Sequence, residues 1–249
     1  MTSKLPSLLV VLALVATLFV GPAAAVDSSA QTLPEDAEVG SDVEASFELT
    51  QLFDEYETWT LEGETELQDA TWTVKLYDQG GNQIDTVETD SLSQEIDIDD
   101  GVNRVEIRVD GTAPAVDNYS YDPPQQFVAA NLTQTAAGGS QQAVASYRVH
   151  HYTQESAEAR SAIDDAREAV AASSSDSGQA LLNSAISSYE NENFQNAIDS
   201  AGQAEEEASQ NRMLRMGAMG LVAIVVLVAL IGGGYRLYKS RQQSPSRLR

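Results

Sequence analysis

Four oxygen-bearing side chains crowd one short stretch: Asp97, Asp99, Asp100 and Asn103, with Gly101 among them. Carboxylate and amide oxygens spaced along a turn are the ligands a calcium ion takes. The spacing is not that of an EF-hand, and no Glu closes it with a bidentate carboxylate. Two readings stand: a weak calcium loop, or a polar turn between two strands in which Gly101 supplies the bend. Chelation at fixed ionic strength separates them, because only the first predicts a lower melting temperature. Asn118-Tyr-Ser120 and Asn131-Leu-Thr133 both match the N-x-S/T acceptor pattern, so an exported chain would offer two amides for N-glycosylation. His150 and His151 are the two histidines. Adjacent residues of a strand point to opposite faces, so these imidazoles cannot share a metal. One is expected to pack at the strand end and the other to sit in solvent.

Other chemistry is missing from the sequence. With Cys 0 there is no disulfide framework, thiolate metal site, cysteine nucleophile or lipid-acylated cysteine. No G-x-S-x-G elbow, H-E-x-x-H or P-loop occurs. The 38 acids could assemble into acid–base pairs in space, but their abundance makes any one of them uninformative. The chain is therefore expected not to be an enzyme and to need no cofactor, calcium being the one candidate.

Charge carries more information. The 249 residues hold Lys+Arg 14 against Asp+Glu 38, a net charge of -24, which repels a phosphate polymer and argues against nucleic-acid binding. All 38 acids fall between Asp27 and Glu207, where the bases are Lys75, Arg104, Arg108, Arg148, Arg160 and Arg167; six against 38 leaves -32. The acid stops once: from Pro123 to Gln154 there is none. That window holds Gln141, Gln142, Arg148 and the second sequon, and it is where another surface would meet least repulsion. It reads as a docking hairpin for a neighbouring protein or glycan, or else as a hairpin buried in the sandwich.

The elements that must position these residues follow from hydropathy. Lys4, the apolar run Leu8 to Val20 and Ala23-Ala24-Ala25 make residues 1–25 a secretory signal peptide; an uncleaved anchor is the alternative. Residues 26–41, rich in Ser, Ala, Asp and Glu, read as a flexible leader. From 42 to 152 the period is two. Val43 to Leu49, Trp59 and Leu61, Trp72 to Leu76, Gln83 to Glu88, Leu92 to Ile98, Val105 to Val109, Phe127 to Thr133 and Ala143 to Tyr152 predict short antiparallel strands. The fold class expected is an all-β sandwich, followed by an α-helical hairpin or stalk over 153–211 and one transmembrane helix. Thr153 should cap the first stalk helix; Ser173 to Gly178 should break it, and Asn191-Glu-Asn193 marks a kink or interruption. Residues 213–235 hold an uncharged run, Met216 to Tyr235, of about 30 Å at 1.5 Å per residue, enough for one span. The basic tail 236–249 follows with no acid, which places it in the cytoplasm and the acidic part outside.

Three resemblances extend this reading. Gly101-Val-Asn-Arg-Val-Glu-Ile-Arg-Val-Asp-Gly111 is similar to a strand of immunoglobulin-like and fibronectin type III-like domains, over about a tenth of the domain. Acid excess with three lysines against eleven arginines resembles proteins of extremely halophilic archaea, which implies loss of the fold below about molar salt, where the Debye length exceeds about 3 Å. The run Ala185 to Ala204 resembles half of a tetratricopeptide-type unit and the alanine-rich helical hairpins of archaeal surface proteins. Together these imply a haloarchaeal single-pass glycoprotein of the cell surface that binds or scaffolds envelope proteins. An accessory subunit of a membrane transporter or secretion complex is the alternative. The partners implied are the membrane, envelope or membrane proteins or glycan, and a second copy through the stalk or through Ala229 and Gly233 of the span.

Overall fold

The computed structural model describes residues 26–213. The signal peptide, the apolar run from Met216 and the basic tail lie outside the described residues. The described chain forms ten strands: β1 (Asp27–Thr32), β2 (Asp36–Glu38), β3 (Asp42–Thr50), β4 (Thr58–Glu64), β5 (Gln68–Tyr77), β6 (Gln83–Thr89), β7 (Leu92–Asp97), β8 (Arg104–Thr112), β9 (Gln126–Ala136) and β10 (Gln141–Tyr152). They form two five-stranded sheets, ordered β1-β3-β8-β5-β6 and β2-β10-β9-β4-β7. Every pairing is antiparallel except the short β2–β10 contact.

Register puts one row of β3, β4, β5, β8 and β9 inside. In the first sheet Ile107 of β8 lies opposite Phe47 of β3 and Val74 of β5. In the second, Leu61 of β4 lies opposite Gln134 of β9 and Gln94 of β7. Both tryptophans, Trp59 and Trp72, are fully buried between the sheets, and the Trp59 indole N–H donates to the Leu52 carbonyl at 2.9 Å. At about 25 cal/mol per Å² and about 150–250 Å² per aromatic, each contributes an upper bound of roughly 4–6 kcal/mol of burial.

The expected flexible leader is replaced by structure. Residues 27–32 are β1, paired with β3 from Asp27 opposite Thr50, and 36–38 are β2 beside the end of β10. The side chains of β1 are exposed or half-buried along its whole length, so no period of two marks it. Its backbone ladder, and Val26 buried at its start, hold it in place.

The expected two-helix hairpin is also corrected, to three helices: α1 (Gln154–Ser173), α2 (Asp176–Glu190) and α3, helical from 194 to the last described residue, 213. Thr153 caps α1 as expected, in a reciprocal capping box with Ser156. The break to α2 is only Ser174-Ser175, because Ser174 takes a left-handed conformation and Ser175 caps the next helix through Gly178 N–H. A second left-handed residue, Glu192, turns the chain again, and Asn193 Oδ1 accepts from Asn196 N–H at the start of α3. Three helices of this length bury their own faces. Ala159, Ile163, Ala166 and Val170 of α1 pack with Leu182, Ala185 and Tyr189 of α2 and with Ala197, Ala201, Ala204 and Ala208 of α3. Gly178 sits where all three meet: a Cβ there would lie 3.0 Å from Val170 and 3.3 Å from the Ala204 carbonyl. No helix among the described residues is long and apolar enough to cross a membrane.

Candidate functional site

Sandwich and bundle have separate cores, and strands and helices touch each other only sparsely. What joins them is the connector 113–125, between β8 and β9, which also carries the first sequon. Its Tyr119 and Tyr121 turn into the bundle. Tyr121 is 2% exposed and lies under the guanidinium groups of Arg160 and Arg167, 4.7 and 4.8 Å from its ring centroid. Its hydroxyl donates to Asp164 Oδ1, and Arg160 Nη2 donates to its carbonyl at 2.9 Å. Burial, and then the hydrogen bond to the Asp164 carboxylate, push the Tyr121 phenol up to about 12. Tyr119 meets Tyr189 and Phe194 edge-on, at 5.9 and 4.8 Å between ring centroids. Gln125 completes the joint: its amide donates to the His151 carbonyl and to the Tyr189 hydroxyl, while its oxygen accepts from Ser120 N–H. The signal was present in the sequence as tyrosines alternating with polar residues, Asn118-Tyr-Ser-Tyr121, but with no helix to suggest a partner.

The histidines divide as alternation requires, with one correction. His151 is buried beside Phe127, its Nδ1 at 3.1 Å from the Pro114 carbonyl. His150 is not freely solvated: it is half-buried, stacks on Tyr152, and its Nε2 has no hydrogen-bond partner. Burial, then the nearby Arg160 charge, lower its pKa against an opposing pull from Asp36.

The acidic turn is occupied by its own backbone. Asp97 Oδ1 accepts from Asp99 N–H, Asp97 Oδ2 accepts from Thr58 Oγ1, and Gly101 has the left-handed φ of 71° that closes a single 3-10 turn, Ile98–Asp100. Asp99, Asp100 and Asn103 are exposed. Among the described residues no group of three or more acidic or histidine side chains is placed to hold a metal ion. The turn does the structural work of joining β7 to β8.

The acid-free window becomes the β9–β10 hairpin. The strands pair from Gln141 opposite Thr135 to His150 opposite Gln126, with register shifts at Ala143/Ala145 and Tyr147/Arg148. β9 is the middle strand of its sheet. β2 pairs with β10 only at His150–Tyr152, so from Gln141 to Val149 no described strand pairs with its far edge, although Ser28 of β1 shares a 2.7 Å hydrogen bond with the Tyr147 hydroxyl. The inner row is committed to the core: Tyr147 stacks on Phe47 at 4.2 Å and Val149 is fully buried. The outer row, with Gln141, Ser146 and Arg148, is exposed, so the buried-hairpin reading is set aside. Gln141 Nε2 donates to Glu62. Ion pairs among the described residues fall on Arg104 and Arg108, and Arg148 pairs with no described carboxylate. Asn131 stands mid-strand in the same outer face, its amide 3.4 Å from Glu64, whereas Asn118 is exposed in the connector.

No protein-family model and no curated protein matches the chain. Solved structures give a distant likeness to β-rich domains. The sporulation control protein Spo0M from Bacillus subtilis is 9% identical at a TM-score of 0.30, covering 56% of this chain and 54% of Spo0M. A conjugative transposon lipoprotein from Bacteroides eggerthii is 10% identical at 0.25, covering 50% of this chain and 96% of the lipoprotein. The SrpA adhesin of Streptococcus sanguinis is 19% identical at 0.26, covering 52% and 59%. The chain thus spans about half the length of the Spo0M structure it matches.

Proposed function

We propose that this protein is a membrane-anchored extracellular binding or structural protein of a cell envelope, adapted to high salt. Its immunoglobulin-like sandwich meets a partner through the outer face of the β9–β10 hairpin. One observation carries this: on a chain with 38 acids, the exposed row of β10 from Gln141 to Arg148 contains none and ends the sheet with no described strand beyond it. An open strand edge offers backbone donors and acceptors, and the β10 row adds no carboxylate of its own, the nearest being Glu62 and Glu64 across the sheet on β4. The two register shifts kink the edge, which favours one matched partner over indiscriminate strand addition. The partner is an envelope or membrane protein, and in the chain the helices of 154–213 come between the sandwich and the apolar run that begins at Met216.

The experiment is a substitution that restores charge without touching the core: Gln141→Asp with Ser146→Asp. Affinity purification from the native membrane in mild detergent should lose the partner, while Trp fluorescence of the purified variant stays native. An unchanged set of co-purifying proteins contradicts the proposal. A polytopic membrane protein among those lost would make this chain the accessory subunit of a transporter or secretion complex.

A further inference from the structure

A cleft of about 660 Å³ opens beside the connector at the joint, lined by residues of 114–127 and by His151. Its lining combines the apolar rings of Pro114, Pro123 and Pro124 with acceptors and an amide from Glu66, Asp117 and Gln126. Asn118 lines the same cleft, and it is the first residue of a sequon. A cleft that combines C–H surface with carboxylate acceptors suits a polyol, whose hydroxyls donate to the acids and whose ring faces lie on the prolines.

The two sequons differ in setting. Asn118 is exposed, and it is held in position because Tyr119 and Tyr121 on either side of Ser120 are anchored in the bundle. Asn131 is half-buried in the middle strand of its sheet, opposite Ser146 of β10 and Glu64 of β4, and its amide is turned to Glu64. A glycan on Asn131 would also cover the hairpin face assigned to docking.

We propose that Asn118, and not Asn131, is N-glycosylated, and that the first sugars of this glycan occupy the joint cleft. The step is a displacement on a lipid-linked glycosyl phosphate outside the cell: the Asn118 Nδ2–C1 bond forms as the C1–O bond to phosphate breaks, the phosphate leaves with that electron pair, and the amide gives up one proton to it. The proposal rests on the extracellular reading above.

The test uses the full-length protein expressed in its own cells. No Lys or Arg lies between Asn118 and Asn131, so trypsin leaves both on one peptide, whereas chymotrypsin cuts after Tyr121 and Phe127 and separates them. Peptide mass spectrometry should find a glycan mass on the Asn118 peptide and none on the Asn131 peptide. The Asn118→Gln variant should lose it without loss of native Trp fluorescence, and should show faster amide hydrogen exchange over Ser120–Gln126. Protease added to intact cells checks location in parallel. A digestible, hence external, chain with an unmodified Asn118, or with a glycan on Asn131, overturns this proposal alone. A protected chain with no glycan overturns the extracellular reading and this proposal with it. Unaltered exchange in Asn118→Gln overturns the placement of the sugars in the cleft.

Discussion

Replacing Tyr121 by Ala should uncouple the helical bundle from the sandwich. The structure gives the magnitude. Truncating a fully buried aromatic costs about 3–5 kcal/mol. The hydroxyl bond to the Asp164 carboxylate is of a class worth about 1.5–3 kcal/mol, and each guanidinium over the ring about 0.5–1 kcal/mol. These overlap because they share one side chain, so a loss of about 4–6 kcal/mol is expected rather than their sum. That is comparable with the whole stability of an ordinary domain, about 5–15 kcal/mol, and it falls on a bundle whose third helix contributes only alanines to the fully buried core. The assay separates the two parts without labels. Both tryptophans lie in the sandwich, so their fluorescence reports the sheets, while circular dichroism at 222 nm is dominated by the helices. The wild-type chain, in detergent at molar salt, should show coincident thermal transitions by the two probes. Tyr121→Ala should lose its helical signal well below the temperature at which the tryptophans become exposed. Coincident transitions in the variant, with a midpoint within about 2 °C of wild type, would refute the idea that the connector tyrosines bolt the module together.

Other perturbations follow from single contacts. Gln134 is 1% exposed in the middle strand and neither atom of its amide finds a partner, so Gln134→Leu should stabilise the sandwich by about 1–3 kcal/mol, at about 2–4 °C per kcal/mol by fluorescence melting; a lower midpoint would contradict this. His150 has its pKa lowered in the fold, so the unfolded chain takes up the proton first. Stability should be fully present above about pH 6.5 and fall as the solution is acidified below it, and His150→Gln should flatten that limb in denaturant titrations. Tyr121 is the opposite case: with its phenol raised, the neutral form is favoured by folding, so stability is kept below about pH 10 and lost as pH rises towards 12. Tyr121→Phe, though less stable overall, should show a shallower alkaline decline. Gly178→Val places a branched side chain 3 Å from Val170 and should cost about 1–3 kcal/mol of helical stability in the same melting assay.

The strands were legible wherever one face is buried and the other wet. Val43 to Leu49 and Trp72 to Leu76 alternate because a pleated strand puts successive residues on opposite sides, and their register places those rows inside. β1 escaped because its side chains touch little; its backbone pairing, invisible to hydropathy, is what makes it a strand. The helices were visible as a change of period at Thr153 and an interruption at Asn191-Glu-Asn193, but not that the left-handed Glu192 makes this interruption a full turn into a third helix. The acid-free hairpin was read from charge alone, but which of its rows faces outward required Tyr147 to be seen on Phe47. The joint was missed altogether. Tyr119 and Tyr121 make their contacts with residues 39 to 75 positions away, and short polar stretches give no sign of such a partner.

The most direct test of the account is a photo-crosslinker placed at Ser146, in the exposed row of β10, and separately at Thr86, on the exposed edge strand β6 of the other sheet. In intact cells the account predicts one dominant crosslinked envelope or membrane protein from position 146 and none from position 86. The same protein captured equally from both positions, or from position 86 alone, would contradict it.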